Sequence, residues 1–70
     1  MILLSRTEYP DTKGGKHIIE VYGYRTSTGP HYGEDPKSVE IDGKVWKEYP
    51  QLGIGNPIQQ AKEEIERRIS

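Results

Sequence analysis

The chain has no cysteine and no phenylalanine, and only one methionine and one tryptophan in 70 residues. Without thiols there is no disulfide framework, no thiolate zinc site and no cysteine nucleophile, so stability has to come from packing or from self-association. Long apolar runs are also missing. Met1-Ile2-Leu3-Leu4 gives way at once to Ser5 and Arg6, far short of a signal-peptide core or the ~20 apolar residues of a membrane span. Neither sign of charge dominates, with ten Lys and Arg against eleven Asp and Glu spread over both halves of the chain. That balance gives no general attraction to nucleic-acid phosphates or anionic lipid. The expectation is a cytoplasmic protein with no membrane contact. There is no internal repeat and no low-complexity tract.

What is present suffices for one small domain over residues 1–70. Eight isoleucines, three valines and three leucines with five tyrosines provide a compact core, in a chain near the lower size limit for folding alone. Residues 2–6 read as a short apolar strand, and residues 7–15, with Pro10, Asp11 and Gly14-Gly15, as a loop. Residues 16–26 are dense in β-branched and aromatic side chains. Two-residue alternation puts His17, Ile19, Val21 and Arg25 on one face and Ile18, Glu20, Tyr22 and Tyr24 on the other. Gly23 between two tyrosines marks a bulge or a close backbone approach.

Residues 27–37, with two prolines and two glycines, read as the longest irregular segment. After them, Ser38 to Ile41 and Lys44 to Lys47 flank Asp42-Gly43, the signature of a two-residue hairpin with a type I′ turn. In the simplest register Val39 lies opposite Trp46 and Ile41 opposite Lys44. Val39, Ile41 and Trp46 then share the core face, and Glu40, Val45 and Lys47 the outer one. A second loop leads to Asn56-Pro57, a cap residue followed by proline at the first helical position. Ile58, Ala61, Ile65 and Ile69 give the helix an apolar stripe, with Glu63–Arg67 and Glu64–Arg68 as supporting pairs. The fold class is therefore α+β, a small antiparallel sheet of three to four strands with one C-terminal helix packed on one face. One helix covers one face, so the face of Ile18, Tyr22 and Tyr24, or the edge strand at the N-terminus, is expected to meet a second copy or a partner protein.

No stretch matches a catalytic, metal or phosphate motif. Gly53-Ile54-Gly55 before the helix lacks the lysine of a phosphate loop, and Pro57 removes a donor such a site would need. His17 and His31 have no second ligand at helical spacing, and Asp42 is explained by the turn. A metal-assisted hydrolase built from His31, Glu34 and Asp35 is the weakest reading. The chain is accordingly expected to be non-catalytic and to need no cofactor. The long loop and the aromatic residues point to binding, because loops and exposed Tyr and Trp side chains dominate protein contacts. The candidate partner-binding residues are Tyr22, Tyr24, Arg25, His31, Tyr32, Glu34, Asp35 and Trp46. The partner is another protein or a second copy in a homodimer. The alternative is a single-strand nucleic-acid binder with a platform of Lys13, Lys16, Tyr22, Tyr24 and Arg25. Small size, absence of cysteine, irregular loops and one capped helix are features shared with phage and mobile-element accessory proteins that occupy a surface on a larger host protein.

Overall fold

The computed structural model describes residues 1–26, 33–48 and 56–70. Four strands, β1 (Ile2–Pro10), β2 (Lys16–Thr26), β3 (Gly33–Ile41) and β4 (Lys44–Glu48), precede one helix, α1 (Pro57–Ile69). The strands lie side by side in chain order, each antiparallel to the next. The fold is thus a small α+β domain with a four-stranded antiparallel sheet and a C-terminal helix.

The core lies between the helix and one face of the sheet. Alternation along β2 and β3 turns Ile19, Val21, Val39 and Ile41 towards α1, which contributes Ala61 and Ile65 from one stripe. Leu4, Tyr9, Trp46 and Ile58 pack around this cluster and are only partly buried. The helix begins where the sequence calls for it. The Asn56 side chain accepts the backbone N–H groups of Ile58 at 3.0 Å and Gln59 at 3.3 Å, and Pro57 occupies the first turn. At the other end Arg67 and Arg68 complement the helix dipole. Both also converge on Glu64, at 2.7–2.8 Å. The bonds from Arg67 and then Arg68 hold the Glu64 carboxyl down to about 2. The expected Glu63–Arg67 pair gives way to Glu64–Arg67, since one carboxylate can accept from both guanidinium groups.

Every ladder contains one bulge, and these account for most departures from the sequence reading. The β1–β2 pairing runs Leu3 with Tyr22 and Ser5 with Val21, leaving Leu4 as the extra residue. The β2–β3 pairing runs Tyr22 with Ser38 and Gly23 with Pro36, leaving Lys37. In β3–β4 the register shifts between Val39 with Lys47 and Glu40 with Val45, leaving Trp46. Val39 therefore faces Lys47 and not Trp46, although Ile41 does face Lys44. The added residue brings Lys47 to the helix side, where its ammonium sits 4.7 Å from the centre of the Trp46 ring. Trp46 packs on the core as expected.

Two segments are more regular than their composition suggests. β1 continues past Arg6 to Pro10, with Thr7 opposite Ile19 and Tyr9 opposite His17. Proline is tolerated there because β1 is an edge strand. Residues 33–37 belong to β3, where Pro36 lies beside the Lys37 bulge, the other place a sheet accepts proline. The rest of the expected irregular loop, 27–32, and residues 49–55 with the Gly53-Ile54-Gly55 stretch lie outside the described residues.

Two glycines bear directly on how β3 is placed. Asp42 and Gly43 have φ of 53° and 82°, as the type I′ turn needs. Gly23 is buried against β3, and a Cβ there would overlap the Asp35 carbonyl oxygen and the Pro36 Cα. Gly23→Ala is accordingly expected to cost about 1–3 kcal/mol by overpacking against backbone. Val45→Thr, at an exposed β4 position, should stay within about 0.5 kcal/mol of the parent. Urea unfolding of the two variants checks the contrast.

Candidate functional site

Two polar arrangements stand out, one at an end of the sheet and one across its uncovered face. At the end, the β1–β2 turn, the β3–β4 turn and the last turn of α1 converge. His17, at the start of β2, is held between two carboxylates. Its Nδ1 lies 2.7 Å from Asp42 Oδ2 and its Nε2 2.7 Å from Asp11 Oδ2. Asp42 also accepts the Ile18 N–H at 2.9 Å, and Asp11 accepts the Lys13 and Gly15 N–H groups at 2.8 and 2.9 Å. Bonds to Asp42 and then Asp11 raise the His17 pKa above its usual 6.5. The His17 bond, backed by the Gly15 N–H, lowers the Asp11 pKa. Burial pushes Asp42 up, but His17 and the Ile18 N–H outweigh it, and its pKa is also lowered.

The same corner is fastened to the helix. Glu66 accepts the Tyr9 hydroxyl at 2.6 Å, the Thr12 hydroxyl at 2.6 Å and the Thr12 N–H at 3.1 Å. The Thr12 hydroxyl and then Tyr9 lower the Glu66 pKa, while the bond to Glu66 raises that of Tyr9. Lys13 Nζ caps the Ile69 carbonyl. Chemically this corner is a fastener. When protonated, the His17 ring can donate from both nitrogens, one to Asp42 and one to Asp11, and so tie the two turns together.

The second arrangement is the sheet face turned away from α1. Alternation and pairing place Arg6, Glu20, Glu40 and Val45 in one row across the four strands, with Leu3, Tyr22 and Ser38 in a neighbouring row and Ile18 and Tyr24 along β2. No described element packs on this face. Val45 and Tyr24 are 55% and 51% exposed. Glu20 and Glu40 are directly opposite one another, an unfavourable arrangement for like charges. Glu20 accepts the Tyr22 hydroxyl at 3.2 Å. Glu40, half-buried, has no hydrogen-bond or ion-pair partner among the described residues. Burial and then the bond to Glu20 raise the Tyr22 pKa, with Glu40 adding to the effect and Arg6 opposing it.

The residues singled out in the sequence lie on both sides of the sheet. Tyr22, Tyr24 and Asp35 lie on the uncovered face, with Asp35 opposite Tyr24. Arg25 and Glu34 lie opposite each other on the helix side, 3.5 Å apart. Trp46 lines a cleft of about 240 Å³ against the helix with Lys47, Gln60 and Glu64. His31 and Tyr32 lie outside the described residues. Glu34 and Asp35 are consecutive in β3 and project to opposite faces, so they do not form a joint metal site. The basic residues of the nucleic-acid platform are dispersed as well. Lys13 is tied to the end of α1, Arg25 is paired with Glu34 at the far end of β2, and only Lys16 shares a face with Tyr22 and Tyr24.

Sequence reasoning missed the joining of Asp11, His17 and Asp42, and also the row of Arg6, Glu20, Glu40 and Val45. The alternation of β2 signalled Glu20, but its opposition to Glu40 depends on the β2–β3 register. No family model matches the chain, and no curated protein or solved structure matches it.

The fastener predicts a pH profile. The His17 pKa is raised, so its contribution is fully present below the ordinary 6.5 and is lost as pH rises through the folded value. Asp11 and Asp42 have lowered pKa values, so theirs is present above the ordinary 3.8 and lost as pH falls through the folded values. The melting temperature should peak between these limits. His17→Ala removes both charge-assisted bonds, so it should lower that peak by on the order of 10 °C in a domain this small, and should flatten the alkaline limb. Thermal melts by circular dichroism from pH 3 to 9 read both effects.

Proposed function

We propose that this chain is a non-catalytic, cytoplasmic protein-binding module that meets its partner with the uncovered face of the sheet. The observation that carries this reading is the Glu20–Glu40 pair. Two carboxylates stand opposite each other on adjacent strands, one with no partner among the described residues, amid the exposed side chains of Leu3, Tyr24 and Val45. A like-charge pair at the middle of a sheet weakens the fold. It becomes favourable when a cation is laid between the two groups in a site that excludes water. The partner that fits is a protein surface presenting an arginine or lysine ringed by apolar side chains, with the tyrosines supplying rigid amphipathic contact area. Occupation of a larger protein's surface by a small accessory protein is consistent with this mode.

Glu40→Lys separates fold from function. It replaces a like-charge pair by an opposite one, so the variant should be as stable as the parent or more stable by about 0.2–1 kcal/mol, while partner binding weakens at least tenfold. A photo-crosslinking residue at position 45, used in extract of the native cell, should give one protein adduct that Glu40→Lys abolishes and Glu63→Lys, on the helix, leaves intact. An adduct sensitive to nuclease, or one indifferent to Glu40→Lys, would overturn the proposal.

A further inference from the structure

The two edges of the sheet are unequal. β4 is five residues long, three of them the charged Lys44, Lys47 and Glu48, and it is interrupted by the Trp46 bulge. Short length, lysines and a bulge are the devices that keep an edge strand from pairing with another chain. β1 is nine residues long, and its bulge at Leu4 leaves the run from Ser5 to Pro10 regularly paired with β2. Its other edge meets no described strand. In the middle of that run Arg6 and Glu8 flank Thr7, both exposed and neither with a hydrogen-bond or ion-pair partner among the described residues.

We infer that β1 pairs with β1 of a second copy, antiparallel, about a two-fold axis through Thr7. This register follows from charge. It sets Arg6 opposite Glu8 of the partner subunit and Glu8 opposite Arg6 of the partner subunit, with the two Thr7 residues facing each other. Opposite charges and Thr–Thr pairs are both favourable across antiparallel strands. Moving the axis to Arg6 or to Glu8 sets like charges directly against each other. Because the axis is normal to the sheet, both helices stay on one side and both uncovered faces on the other. α1 lies mainly over β2 and β3, so the two helices do not collide. The result is one continuous eight-stranded sheet that presents the Glu20–Glu40 row twice, with closed two-fold symmetry that leaves only the guarded β4 edges at its ends. The inference stands on the edge of β1 and does not depend on what binds the uncovered face.

Charge exchange tests it. Sedimentation equilibrium and light scattering between 1 and about 500 μM should show wild type approaching twice the 8.0 kDa chain mass. Arg6→Glu alone and Glu8→Arg alone should each raise the dissociation constant at least tenfold. The double variant Arg6→Glu with Glu8→Arg should return to within about threefold of wild type, because the pairs are restored with their signs reversed. Circular dichroism confirms that each variant is folded. Hydrogen exchange on wild type gives a second readout independent of any substitution, with the outward amides of β1 slowing as concentration rises. A wild-type mass of 8.0 kDa throughout, a dimer indifferent to Arg6→Glu, or a double variant that stays monomeric would each overturn the inference. The crosslinking experiment at position 45 reads the uncovered face separately, so failure of one proposal leaves the other standing.

Discussion

One helix of thirteen residues can cover only one side of a four-stranded sheet, and everything else in this molecule adjusts to that limit. Among the described residues the buried apolar core is six side chains: Ile19, Val21, Val39, Ile41, Ala61 and Ile65. Such a core is small even for a domain of this length. The sheet's other face is left with tyrosines, exposed apolar side chains and two opposed carboxylates. An arrangement that weakens the isolated chain persists most readily where something outside the chain makes use of it, which is why function is sought on that face.

Polar fasteners at the end of the sheet supplement the small core. His17 joins the turn carrying Asp11 to the turn carrying Asp42, and Glu66 ties Tyr9 and Thr12 to the helix. These contacts link segments distant in sequence, so they reduce the freedom of two turns and the end of the helix at one corner. The three bulges act differently. Those at Leu4 and Trp46 let edge-strand residues pack on the core, and the one at Lys37 accommodates Pro36 beside a glycine that cannot carry a side chain.

Features encoded locally were legible before the structure. The Asp42-Gly43 hairpin, the Asn56-Pro57 helix start, the Ala61 and Ile65 stripe, and the alternation of β2 each depend on residues within one turn or one strand. What depended on register was not legible. A bulge adds one residue and changes every pairing beyond it, so Trp46 could not be assigned its neighbour from hairpin arithmetic. Pro10 and Pro36 read as strand breakers because an edge position and a bulge, which permit them, are properties of the assembled sheet. The meeting of Asp11, His17 and Asp42 is likewise non-local: the ring of His17 touches residues six positions before it and twenty-five after it. Of the residues proposed to meet a partner, Tyr22 and Tyr24 were evident from alternation. Glu40 gained its place only when β2 and β3 were set side by side.

α1 covers one face of the sheet, and no described element covers the other. Solvent paramagnetic relaxation by a neutral gadolinium chelate measures this side chain by side chain in solution. Strong relaxation of the Val45 methyls and the Tyr24 ring is expected, with Ile19, Val39 and Ile65 shielded. Protection of Val45 and Tyr24 equal to that of Ile19 would contradict it, because the face assigned to a partner would then already be covered.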